Sequence, residues 1–312
     1  MGTLAAWSAL LAYLGLASSS LQRALARLSR RVGDWVVLPL LLPFLLATNL
    51  RPAPLDLLRV IVYLALPTLC LRARRPGAKP FGLGHVLAIL LVWVPIELDL
   101  FLLFVDLIVP GTGVRSALAG VALLPDVQAA LVPGVDLPID KVTAILLVLT
   151  LFLVRHPLSG IGFTLRLRWR DLRTALLGLV AFCVVGLPLG LWLGFLRYSP
   201  TVPGLVDVAT GIVGGYLLVA LAEEILFRGI IQNLLAQRTG SEWVALVIAS
   251  VVFGLAHLNN ATRGHPVPNW AYVAMATLAG LAYGWVWQRT KKVTASAVTH
   301  MLVNLVWGIV FQ

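Results

Sequence analysis

Ten apolar segments follow one another along this chain, at about residues 4–17, 35–50, 57–71, 81–109, 142–154, 174–196, 208–237, 243–258, 270–287 and 294–311. A helix needs about 20 apolar residues to cross a bilayer, so most of these are spans or nearly so, and the first and fifth are the shortest. With 60% hydrophobic and 12% charged residues and a mean hydropathy of +0.94, the chain lies far above soluble usage. The expected fold is all-α, a polytopic membrane bundle of about eight to ten transmembrane helices. Residues 1–207 supply N-terminal transmembrane helices, with an outer loop near 110–141, and residues 208–312 form a bundle with a polar site inside.

The net charge of +11 does not point to nucleic acid, because the basic residues gather in short connections between apolar runs. Of the 24 Lys and Arg, seventeen fall in alternate connections, at 21–34, 72–80, 155–173, 238–242 and 288–293. Only Arg51, Arg115, Lys141, Arg197 and Arg263 fall in the opposite set, while Arg59 and Arg228 lie within spans. That asymmetry predicts both termini outside and the basic loops cytoplasmic, in a bacterial plasma membrane. The first apolar run lacks a preceding basic residue and is followed by four arginines, the reverse of a secretory leader, so it reads as a span.

In the connection 110–140, Pro and Gly mark turns, and residues 117–124 could form a short interfacial or re-entrant helix. Glu97, Asp99 and Asp106 read as wet carboxylates beyond a helix that Pro95 breaks. Cys70 and Cys183, each inside an apolar run, read as small buried hydrophobes.

Charge inside an apolar span is expensive and therefore informative. Glu223 and Glu224 interrupt the seventh segment, and Arg228 follows Glu224 by four residues, within ion-pair reach on a helix. Phe253 with His257, and His300 with Asn304, repeat the four-residue step that puts two side chains on one helix face. Counted from the basic loops, Glu223 and His257 lie roughly 20 Å deep and His300 and Asn304 roughly 10 to 17 Å. Taken singly, each motif is most simply a structural ion pair or interhelical hydrogen bonding. Together, at comparable depth, they predict a shared site.

The three motifs, EExxxR at Glu223–Arg228, FxxxH at Phe253–His257 and HxxxN at His300–Asn304, resemble in that order the CPBP family, the type II CAAX prenyl endopeptidases and their Abi-type relatives. Gly280 and Gly284, in a span between the second and third motifs, fit that family's small-residue helix. The resemblance covers about the last third of the chain. It implies an intramembrane glutamate endopeptidase acting on a membrane-associated or lipidated protein or peptide, without cofactor or metal. Glu223 and His257 would activate a water, and His300 and Asn304 would hold the oxyanion. Glu224, Arg228 and Phe253 would support them. Spacing alone does not choose between Glu223 and Glu224 as base; the resemblance favours Glu223. A zinc hydrolase is weighed against this because Glu223, His257 and His300 are ligand types, but no HExxH is present. A membrane scaffold or immunity-type protein that keeps the motifs for binding, and a proton-coupled transporter, are the readings from other classes.

Overall fold

The computed structural model describes residues 1–72, 81–132 and 134–311. Arg74, Arg75 and Lys79 of the second basic loop, and the breaker Pro133, lie outside the described residues. The described chain is helical almost throughout, with a single two-stranded hairpin. It separates into two compact units, residues 1–159 and 160–312.

The first unit opens with α1 (Gly2–Gly15), α2 (Ser19–Val32), a 3₁₀ segment (Gly33–Leu40), α3 (Leu41–Ala47) and α4 (Pro54–Arg72). It continues with α5 (Leu83–Trp93), α6 (Leu98–Ile108), the single turn α7 (Val114–Ala117) and strands β1 (Gln128–Val132) and β2 (Val135–Pro138). It closes with α8 (Ile139–Leu149), which runs on into a π-helical stretch, Thr150–Arg155. Tyr63 Oη donates to the Val92 carbonyl at 3.0 Å, tying α4 to α5. Arg155 Nε donates to Asp34 Oδ1 at 2.7 Å, tying the end of the π stretch to the start of the 3₁₀ segment.

Several sequence expectations change here. Residues 21–34, read as a basic loop, are largely the helix α2. The span read at 35–50 is a 3₁₀ segment followed by a seven-residue helix, because Pro39 and Pro43 each remove a backbone donor. The run 81–109 is two helices bent by 115° about the Pro95 region, with Glu97 and Asp99 exposed beyond the break. No helix covers 117–124 beyond α7, and the connection 110–140 instead contains the antiparallel pair β1–β2. Among the described residues, four helices are long and apolar enough to cross a membrane, or six if each bent pair is one span. The count of eight to ten is not reached by that measure, because hydropathy registers apolar runs and not the breaks inside them.

The second unit holds α9 (Trp169–Trp192), then a helical run, Leu205–Thr239, made of α10 (Leu205–Gly214), a π stretch (Gly215–Ala220), α11 (Leu221–Glu224), a second π stretch (Ile225–Gln232) and α12 (Asn233–Thr239). It ends with α13 (Glu242–Leu255), α14 (Trp270–Thr290) and α15 (Val293–Val310). Helix α14 is central, packing on α13, α9 and α15. Close approach explains its small residues. A Cβ at Gly284 would meet Leu246 Cδ1 at 2.4 Å and Gln232 Oε1 at 2.6 Å. A Cβ at Gly280 would stand 3.1 Å from Ser250 Cα. The small-residue face read at Gly280 and Gly284 is therefore the seat of the neighbouring helices.

The tightest of these contacts is on α13, where a Cβ at Gly254 would fall 2.0 Å from Thr277 Oγ1 and 2.6 Å from the Val273 carbonyl oxygen. The hydroxyl can rotate, but the carbonyl can move only with its helix. Gly254→Ala is expected to destabilise the protein by about 1–3 kcal/mol, the usual cost of overpacking. A thermal or denaturant midpoint equal to that of wild type would show that the two helices separate freely.

Candidate active site

The Leu205–Thr239 run carries the two carboxylates on the short α-helical turn α11, with a π-helical stretch on either side. π turns are rare and concentrate at functional sites because the widened turn redirects side chains. Here Glu224 is fully buried and Arg228 is 1% exposed, whereas the Glu223 side chain is 31% exposed. Two adjacent residues of one type thus occupy different environments.

Glu224 is surrounded by donors. Its Oε1 lies 3.0 Å from Arg228 Nη1 and 3.0 Å from His300 Nδ1, and Ser296 Oγ donates to its Oε2 at 2.5 Å. The guanidinium contact is an ion pair in poor hydrogen-bond alignment, since Nη1 makes no geometrically satisfactory bond. Arg228 is held instead by its charge, by Nη2 donating to the Gly280 carbonyl at 3.2 Å, and by the Phe253 ring, 4.3 Å beneath the guanidinium. A carboxylate only accepts, so His300 must donate from Nδ1, which leaves Nε2 as its second edge. That Nε2 lies 3.8 Å from Glu223 Oε2, a buried oxygen without a hydrogen-bond partner.

His257 sits one residue beyond the C-cap of α13, in the turn that ends the helix, and its ring still lies beside Phe253, as the four-residue step predicted. Its Nδ1 is 2.8 Å from the Phe253 carbonyl. A carbonyl cannot donate, so Nδ1 carries the proton and Nε2 of the neutral ring is free to accept. Phe253 packs edge-on against His257, His300, Phe227 and Tyr283, with centroid distances of 4.7 to 5.9 Å. His300 stacks flat on Tyr283 at 4.5 Å. Phe253 therefore fixes the ring planes of both histidines.

A cavity opens beside these groups, with His257, His300 and Asn304 on its wall and Tyr272, Met275 and Trp307 among its apolar lining. Asn304, one turn beyond His300, is exposed and also borders a groove between α10 and α15. Glu223 is not on the cavity wall and meets it through His300. Cys183 lines the same cavity and is half-buried. Among the described residues, no three His, Cys, Asp or Glu stand as a metal-ligand group.

The sequence-predicted residues Glu223, Glu224, Arg228, Phe253, His257 and His300 thus form one connected cluster in the second unit, with Asn304 at its cavity. Sequence reasoning missed Ser296 and Tyr283. Ser296 stands four residues before His300, the same step that flagged Asn304, and a hydroxyl in an apolar span did not stand out.

No curated protein and no solved structure matches the chain. Residues 206–306 match the family model of the type II CAAX prenyl endopeptidases, Rce1-like, and that stretch contains all three motifs. The match supports the resemblance read from those motifs: the C-terminal third of this integral membrane protein carries a domain of the Rce1-like type II CAAX prenyl endopeptidase family.

Proposed function

We propose that this chain is an intramembrane endopeptidase that hydrolyses a peptide bond of a membrane-associated or lipidated protein by glutamate chemistry. The observation that carries the reading is the contrast within the carboxylate pair. Glu224 has donors around both oxygens and is buried, while Glu223 keeps an unpartnered oxygen 3.8 Å from His300 Nε2. A base needs an accessible oxygen free to take a proton; Glu223 is 31% exposed and has an oxygen without a partner, whereas each oxygen of the buried Glu224 already accepts a hydrogen bond.

In the reaction, Glu223 accepts a proton as water attacks the carbonyl carbon. His257, its Nδ1 proton committed to Phe253, accepts a hydrogen bond from that water at Nε2 and orients it. The carbonyl π electrons move to oxygen, and the oxyanion takes hydrogen bonds from the Asn304 amide and from His300 Nε2, which donates only when both ring nitrogens carry protons. When the C–N bond breaks, the proton on Glu223 passes to the leaving nitrogen. Atoms and charge balance without a redox partner or a metal. Glu224, Arg228 and Ser296 hold His300, and the apolar cavity takes the side chain or lipid beside the scissile bond.

The test is cleavage of a panel of membrane-anchored and prenylated peptides by the purified protein, with products mapped by mass spectrometry. Internal cuts that persist in a chelator are expected. Loss of cleavage with chelator, restored by Zn²⁺, would move the chemistry to zinc. A wild-type protein that binds these peptides and cuts none of them would favour the scaffold reading.

A further inference from the structure

Helix α2, far from the motifs in sequence, has three different faces. At 100° per residue, Arg23, Arg27, Arg30 and Arg31 fall within about 100° of arc, and Leu21, Ala24, Leu25, Leu28 and Val32 fill about the next 100°. The remaining face, with Gln22, Ala26 and the buried Ser29, is where α2 packs on the 3₁₀ segment and on the π stretch of the first unit. Among the described residues, the other two faces are largely uncovered, Leu25 being partly buried and Leu21 lying near Gly15 of α1. Leu21, Leu28 and Val32 are 38%, 46% and 36% exposed, and all four arginines are exposed. Among the described residues none of these arginines pairs with a carboxylate, and α2 itself contains no acidic residue.

Between α1 and the run Ser19–Ala47 that α2 opens, the chain bends by 98°. An apolar stripe beside a basic stripe, on a helix at a right angle to an apolar one, is the geometry of a helix in the membrane interface. We infer that α2 lies in the plane of the bilayer surface, its Leu21–Leu28–Val32 stripe among acyl chains and its four arginines on the phosphates of anionic phospholipids. The charge argument selects the lipid. Four cations with no internal counter-ion, next to an apolar stripe already committed to acyl chains, are complementary to an anionic headgroup layer and not to a zwitterionic one.

The experiment is amide hydrogen exchange on the full chain in nanodiscs of phosphatidylcholine alone or with phosphatidylglycerol. Exchange across residues 19–32 should slow by at least about fivefold in the anionic discs, the factor one engaged arginine supplies. The effect should disappear at high salt and in R23Q/R27Q/R30Q/R31Q, and survive in R23K/R27K/R30K/R31K. Equal exchange in the two lipids for wild type would overturn the inference, as would lipid-dependent protection that persists in the glutamine variant. The salt arm needs no substitution, so misfolding of a variant does not spare the proposal.

Discussion

Glu223→Gln should leave a folded protein that no longer cuts. Glutamine keeps the shape of the side chain but has no carboxylate lone pair to take a proton from water, and positioned general bases supply about 10²- to 10⁴-fold. A fall of that size in kcat is expected, with KM little changed, because the group acts on the water and not on the bulk of the substrate. Little stability should be lost. Oε2 of Glu223 has no hydrogen bond to give up, and the imidazole beside it, His300, is at 3.8 Å. Single-turnover cleavage together with a melting curve decides the matter. A variant that cuts at the wild-type rate removes Glu223 from the role of base.

The adjacent carboxylate should behave in the opposite way. Glu224→Ala strips the counter-charge from Arg228, which is 1% exposed and cannot reach water. Orphaning one member of a buried pair costs about 3–5 kcal/mol, a large part of what holds a domain together. The variant should accumulate poorly and unfold early, with activity falling in proportion to folded protein. Combining it with Arg228→Met removes the stranded cation, so the double variant should be more stable than Glu224→Ala alone. If the two losses simply added, the charges would not be coupled and the 3.0 Å contact would be incidental. The two glutamates thus separate by experiment: one substitution affects rate, the other affects folding.

The chemistry-bearing residues were legible because a charge or an imidazole in an apolar run is conspicuous. Glu223, Glu224, Arg228 and His300 each stand out for that reason, and the four-residue steps joined them to Asn304 and Phe253. The choice between the two glutamates was not legible from spacing, since the four-residue step to Arg228 marks Glu224 as an ion-pair partner without showing which carboxylate faces the site. It takes packing to show that Glu224 is enclosed by Ser296, His300 and Arg228 while Glu223 meets that group only at His300 Nε2, 3.8 Å away. The step from Phe253 to His257 brought those two rings together as expected, but periodicity does not show where a helix stops; α13 ends at Leu255 and His257 stands in the turn that follows. The amphipathic character of α2 was visible in its letters, but a count of loop charges treats Arg23 and Arg31 as position markers and ignores the leucines between them. The hairpin of the first unit was lost for a related reason. Its strands have five and four residues, and the Gly and Pro between apolar patches were read as punctuation for a loop.

The acceptors and donors around Glu224 come from separate helices: Arg228 from its own run, Ser296 and His300 from α15, and Gly280, which holds Arg228, from α14. A slip of α15 by one residue would turn Ser296 and His300 away by about 100° and leave a carboxylate with no donor from that helix in a setting without water. The cluster is therefore an alignment key for the bundle, able to reject wrong helix pairings that apolar packing alone would tolerate. In the proposed protease the same groups are also the support for the catalytic ring. A chain whose helices have not yet docked correctly then has no means of cutting anything, so hydrolysis is withheld until assembly is complete.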